Sequence, residues 1–160
     1  MEKATHLMEV EIGVTTTGIA SAIARLTAMH ARAQVLTPVL LKAKQEVKLA
    51  HTANFTSNGL LVGGWKPLDA QYASWKMARF PGMPPLVRTG KLFASLAGGM
   101  GAVDTMTNTS FSLGTTVEYA KFHQYGTTKM AKRKIVFEPP LFAKKLGRDT
   151  VDYIANGEVL

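Results

Sequence analysis

Between Ser110 and Gly126 the periodicity of the chain switches from strand-like to helix-like, and no other stretch constrains the fold as much. From Ser110 to Thr116, Phe111 and Leu113 point one way and Ser110 and Ser112 the other, the alternation of a half-buried strand. From Val117 onward, Val117, Ala120 and Gln124 share one side of a helix, and Tyr119, Phe122 and His123 share another. Gly126 stands where a helix C-cap wants a residue tolerant of positive φ. A short helix with a second, aromatic face has more to bury than one small core uses. One face is therefore expected to meet its own domain and the other a neighbour.

A length of 160 residues suits one domain spanning the whole chain, with enough sequence to bury a core. Hydrophobic content of 46% and charged content of 19% point to a globular chain rather than a disordered one. The absence of cysteine excludes disulfide scaffolds, thiolate metal sites and cysteine nucleophiles. No apolar run reaches the roughly 20 residues of a spanning helix, so no membrane partner is expected. Glu2, His6, Glu9 and Glu11 are unlike a secretory leader, which places the protein in a reducing cytoplasm or in a particle assembled there. The net charge of +8 attracts anionic partners in general and by itself names none.

Taken in order, Leu7–Thr15 reads as a strand with Met8, Val10, Ile12 and Val14 on one face. A helix is expected from Ile19 to about Leu36, with Ile19, Ile23, Leu26 and Ala33 as its apolar stripe. Thr37-Pro38 reads as a cap and first helical residue. The second helix then runs to about Asn58, with Leu40, Ala43, Val47 and Ala50 inward and Lys42, Lys44, Gln45 and Lys48 outward. Both stripes are narrow and alanine-rich, as expected of a helical hairpin lying on a sheet; the alternative is that part of this surface lines a subunit contact. Residues 59 to 90 form a loop-rich middle punctuated by glycine and proline. A short helix from Asp69 to Arg79 interrupts it, capped by Asp69, with Tyr72 and Trp75 inward. Thr89 reads as the cap of a further short helix, Gly90 to Ala97. Strands at Met100–Met106 and 110–116 form a hairpin turned by Thr107 and Asn108. Ile135–Phe137 reads as one more strand, and a last helix runs to about Ala155 through Phe142, Leu146, Val151 and Ile154. The fold class is α+β: a small, mainly antiparallel sheet packed with an N-terminal helical hairpin, several short helices and a C-terminal helix.

Motifs that carry chemistry are lacking. His6, His30, His51 and His123 are not spaced with one another or with carboxylates as a metal ligand set. The carboxylates are dispersed, with no local acid/base pair. Gly98-Gly99-Met100-Gly101 precedes a strand, not a helix, and so lacks the setting of a phosphate-binding loop. The sequence reads as a non-enzyme that needs no cofactor and no metal. The strongest charge feature is a basic loop at about 127–134, holding Lys129, Lys132, Arg133 and Lys134 without an intervening acid. Such a loop is either a solvated surface or a contact for phosphates or an acidic protein.

Three separated motifs carry a resemblance. Trp65-Lys66-Pro67-Leu68, the run Leu86-Val87-Arg88-Thr89-Gly90-Lys91-Leu92-Phe93-Ala94-Ser95-Leu96, and Tyr119 to Gly126 occur in an order that resembles the tailed-phage virion morphogenesis family of tail-completion, neck and tail-terminator proteins. The similarity spans about residues 40 to 145. The resemblance implies a structural virion protein, made in the host cytoplasm and placed at the head–tail junction. It implies a homo-oligomeric, hexameric ring around the DNA channel, bound to neighbouring connector and tail-tube proteins. A ring needs two different surfaces on each subunit. The interface candidates are Trp65, Tyr72, Trp75, Arg88, His123, Gln124 and Tyr125, with Trp65 equally suited to the core; Tyr119 and Phe122 are expected to pack internally. Lys129, Lys132, Arg133 and Lys134 are the candidates for channel or docking charge, touching DNA without sequence preference or an acidic ring surface. The alternative function is a basic nucleic-acid-binding accessory protein.

Overall fold

A computed structural model of the chain describes residues 16–159; the expected strand over Leu7–Thr15 lies outside them. In chain order the elements are α1 (Thr17–Gln34), α2 (Thr37–Thr56), a 3-10 turn (Leu60–Val62), α3 (Ala70–Arg79), α4 (Lys91–Leu96), β1 (Ala102–Met106), β2 (Phe111–Thr115), α5 (Ala120–Tyr125) and α6 (Phe142–Asn156). The fold is α+β, with helices arranged about one antiparallel β1–β2 hairpin in register from Ala102 opposite Thr115 to Met106 opposite Phe111.

Helix α2 is the axis of the molecule, touching α4, α6, β2 and the 3-10 turn. Val39, Ala43, Val47, His51 and Phe55 recur every fourth residue and are all buried, a continuous inward stripe. Pro38 sits in the first turn, where its missing N–H has no intrahelical partner to lose, whereas Thr37 lies inside the helix and Leu36 takes the cap position without a side-chain bond. The helical hairpin differs from expectation. Helices α1 and α2 make no extended contact; α1 leans on α6 instead. Ile19, Ile23 and Leu26 are consequently 51%, 59% and 64% exposed, so the stripe expected to lie on the sheet is open among the described residues.

The main core gathers Phe55, Trp65, Leu92, Leu96, Val117, Ala120 and Ile135, drawn from five separate stretches of chain. Gly59 ends α2 at φ +83°, and a Cβ there would meet the Trp65 ring at 2.3 Å, so only glycine lets the indole close over the helix end. Two polar ties hold the hairpin. Asp104 takes Lys44 and Lys48, one turn apart on α2, and these bonds hold its carboxyl below the usual range. Ser95 on α4 shares a 2.7 Å hydrogen bond with Thr115 on β2. Thr89 does not cap α4; Gly90 occupies that position, with no side-chain bond.

The stretch from Lys134 to Phe137 departs most from its expected role. It is extended but pairs with no strand. Side chains occupy its backbone groups instead. Gln124 Oε1 accepts from the N–H groups of Ile135 and Val136 at 2.8 and 3.0 Å, while its Nε2 donates to Val136 O at 2.8 Å. Lys134 O accepts from Trp65 Nε1 at 3.0 Å and from Asn54 Nδ2 at 3.3 Å. His51 Nε2 lies 3.0 Å from Phe137 O. With most of its backbone groups taken by side chains, the segment is a strap rather than a third strand of the described sheet.

His51 is 1% exposed, and burial pushes its imidazole below the ordinary value of 6.5, only partly offset by the bond to Phe137 O. The unfolded chain therefore takes up protons first as the pH falls. Stability from neutral His51 is fully present above pH 6.5 and is lost as the pH drops below it toward the folded-state value. Urea midpoints are expected to fall between pH 7.5 and pH 5, and His51→Gln, less stable at pH 7.5, is expected to show a shallower decline. A flat profile in the wild type would contradict this placement of His51.

Candidate functional site: a basic aromatic cleft

The strap fixes α5, and α5 forms one wall of a cleft of about 820 Å³. The opposite wall is α3 with its flanking chain. Asp69 starts α3 as foreseen, its Oδ1 accepting from the N–H groups of Gln71 and Tyr72 at 3.0 and 3.2 Å. The Leu86–Leu92 segment forms the floor, and the loop from Lys129 to Arg133 closes the far end. Gly126, at φ +78°, turns that loop back, and Arg133 N then bonds His123 O at 2.7 Å.

Tyr72 and Trp75 do not face inward. Each is 43% exposed, and the two rings stack on each other at 5.5 Å with Trp75 edge-on to Phe80. The buried side chain of α3 is Lys76, which donates to Met83 O at 3.0 Å and to Pro84 O, fastening the proline-rich loop. Tyr119 and Phe122, expected to pack internally, are 41% and 45% exposed. The reason is common to both pairs: among the described residues no further layer covers α3 or α5, and the inward positions are taken by Lys76, Val117 and Ala120.

The cleft brings together Tyr72, Arg88, His123, Lys129 and Arg133 of the candidate residues, and it leaves out the others. Trp65 is in the core, edge-on to Phe55 at 5.4 Å. Gln124 points away from the cleft into the strap. Tyr125, at 77% exposure, stands on the far side of α5. Lys129, Lys132 and Lys134 are exposed, but Arg133 is 6% exposed and donates to Lys66 O and Pro67 O at 3.0 and 2.9 Å. Arg133 is thus a buried clasp between the basic loop and the Trp65–Leu68 motif, not a surface charge.

Electrostatically the cleft is one-sided. Lys76, Arg88, Lys91, Lys129 and Arg133 line it against the single carboxylate of Asp69, already engaged as a helix cap. Burial lowers the affinity of Lys76 and Arg133 for their protons, and among the described residues neither forms an ion pair. His123 is also pushed down, first by burial and then by the Arg133 charge, and its Nδ1 is buried without a partner. Among the described residues no cluster of His, Asp and Glu is arranged to hold a metal ion. What the cleft offers is attraction for an anionic group beside aromatic rings. Lys76 was missed in the sequence, although its place four residues after Tyr72 puts it on the same helix face.

Comparison with protein-family models, with curated proteins and with solved structures finds no match to this chain. Among the described residues no helix is long and apolar enough to cross a membrane.

Gln124 makes three hydrogen bonds to the strap, so Gln124→Ala is expected to destabilise the protein by about 2–3 kcal/mol in urea unfolding. The exposed Lys132→Ala control is expected to stay within about 0.5 kcal/mol. Equal midpoints for the two variants would contradict the assignment of the strap to Gln124.

Proposed function

We propose that this protein is a structural subunit of a tailed-phage virion, acting at the head–tail junction as a neck, tail-terminator or tail-completion protein and assembling as a ring around the DNA channel. One observation carries the reading. The three motifs behind the resemblance, separated by some twenty residues or more of sequence, meet around a single cleft rimmed by Tyr72, Tyr119 and Phe122. Exposed tyrosines beside exposed cations are the residue types favoured at subunit contacts. The open stripe of α1 supports the same reading, since an apolar face of this extent on a helix is usual where a neighbour covers it.

Lys129, Lys132 and Lys134 are the remaining surface charges of the basic loop; Lys129 lines the cleft, and in a ring Lys132 and Lys134 face either the channel or the next ring. Docking to an acidic ring surface is the favoured use, because tight attraction to DNA would retard its passage. A nucleic-acid-binding accessory role is the second reading, supported by the same three lysines.

Light scattering together with negative-stain imaging tests the proposal. The expected outcome is a closed ring, or a monomer that joins purified tail tubes. A strict monomer that never joins tails, paired with duplex affinity falling steeply with salt and abolished by reversing the three lysines, would favour the accessory role instead.

A further inference from the structure

The cleft described above is half of a contact, and its complement lies across the same short helix. Lys76 and Arg133 are 5% and 6% exposed, and among the described residues their only hydrogen-bond partners are backbone carbonyls. A buried cation without an anion is held at a cost that an incoming carboxylate relieves. Arg88, Lys91 and Lys129 add charge of the same sign along the cleft. The occupant that fits is therefore acidic. Because the walls also carry Tyr72, Tyr119 and Phe122, it should bring an aromatic or apolar group with its carboxylate.

The chain itself presents such a group. Glu118 and Tyr125, with Lys121 between them in sequence, line a second, more open hollow of about 810 Å³ that shares Phe122 with the cleft. Both are exposed, and Tyr125 at 77% is the most exposed aromatic ring among the described residues. Glu118 forms no ion pair among the described residues, whereas Glu46, Asp104 and Asp149 are each taken by a lysine. Glu138 is exposed and unpaired among the described residues as well but lines neither hollow, and Asp152 and Glu158 lie on or beyond α6, which packs against α1 and α2 and makes no extended contact with α5.

We infer that copies of this chain join head to tail through α5, with Glu118 and Tyr125 of one copy entering the basic aromatic cleft of the next. The contact is heterologous, two unlike surfaces on opposite sides of one helix, and a contact of this kind propagates until it closes. It rests on the ring reading above and specifies which surfaces make the ring. A duplex is an unsuitable occupant. Its phosphate backbone runs over a protein surface, whereas Lys76 and Arg133 are buried at 5% and 6% exposure. Stacking of single-stranded bases is disfavoured as well, because Tyr72 already lies against Trp75 and Tyr119 against His123.

Two complementary variants test it, both altered only at exposed positions. Glu118→Lys with Tyr125→Ser disables the ridge, and Arg88→Glu with Lys129→Glu disables the cleft. Each is expected to keep the wild-type circular dichroism and melting temperature and to weaken self-association by about tenfold or more in sedimentation. Mixed together, they retain one intact ridge and one intact cleft, and the expected product is a one-to-one dimer that grows no further. If a reversal impairs folding, Glu118→Gln and Arg88→Gln apply the same test with smaller effects. Assembly of either variant as in the wild type, or a mixture that stays monomeric while the wild type forms rings, would overturn this contact and leave the ring reading standing. A wild type that never assembles, alone or on tail tubes, would overturn both. A cleft variant that loses DNA affinity while assembling normally would assign the cleft to phosphate and likewise overturn the proposal.

Discussion

The bonds between Gln124 and the backbone of Ile135 and Val136 hold the two halves of this molecule in register, because they stand where a strand pairing for this segment would. An amide side chain carries the donor and acceptor of a peptide group, so it can present a strand edge one residue long. Around it Trp65 and Asn54 take Lys134 O, and His51 takes Phe137 O. The strap is thereby fastened to α2, to the loop after α2 and to α5 at once. Ile135 is fully buried as a result, and the chain on either side of it is committed. Before it, Arg133 must fold in beneath the Trp65–Leu68 motif; after it, the chain enters α6. The cleft exists because α5 and the basic loop are pinned from behind in this way.

Local signals were the readable part of the sequence. Asp69 caps α3, Gly59 and Gly126 end their helices at positive φ, and the β1–β2 hairpin turns at Thr107 and Asn108, each decided by the conformational preferences of a few adjacent residues. The strap was not readable. Ile135-Val136-Phe137 has strand composition, and whether its backbone pairs with a strand or with Gln124 depends on residues placed there by the rest of the fold. Arg133 misled for a related reason: within Lys132-Arg133-Lys134 it looks like surface charge, and only two carbonyls brought from Lys66 and Pro67 make burial acceptable. Tyr72 and Trp75 misled in the opposite direction. An aromatic pair at helical spacing usually marks a buried face, but here the rings cover each other and a lysine takes the inward position.

These departures share a pattern. Gln124 and Arg133, expected at a surface contact, turn inward and build the scaffold together with Trp65, which suited core and interface equally, while Tyr119 and Phe122, expected inside, stand outside with the interface candidates Tyr72 and Trp75. Polar side chains with several donors or acceptors do the internal fastening, which leaves the aromatic side chains of α3 and α5 at the surface. The division of charge follows the same logic. Five cations line the cleft on one side of α5, and Glu118, with Lys121 nearby, lines the hollow on the other.

Amide hydrogen exchange of the isolated protein at Ile135 and Val136 bears most directly on this account. If Gln124 holds the strap as described, both amides exchange slowly, at rates near those of the buried α2 amides around Val47 and Phe55, although they belong to no helix or sheet. Exchange as fast as that of the exposed loop at Thr128 and Lys129 would mean that the strap is loose and that the cleft has no fixed wall.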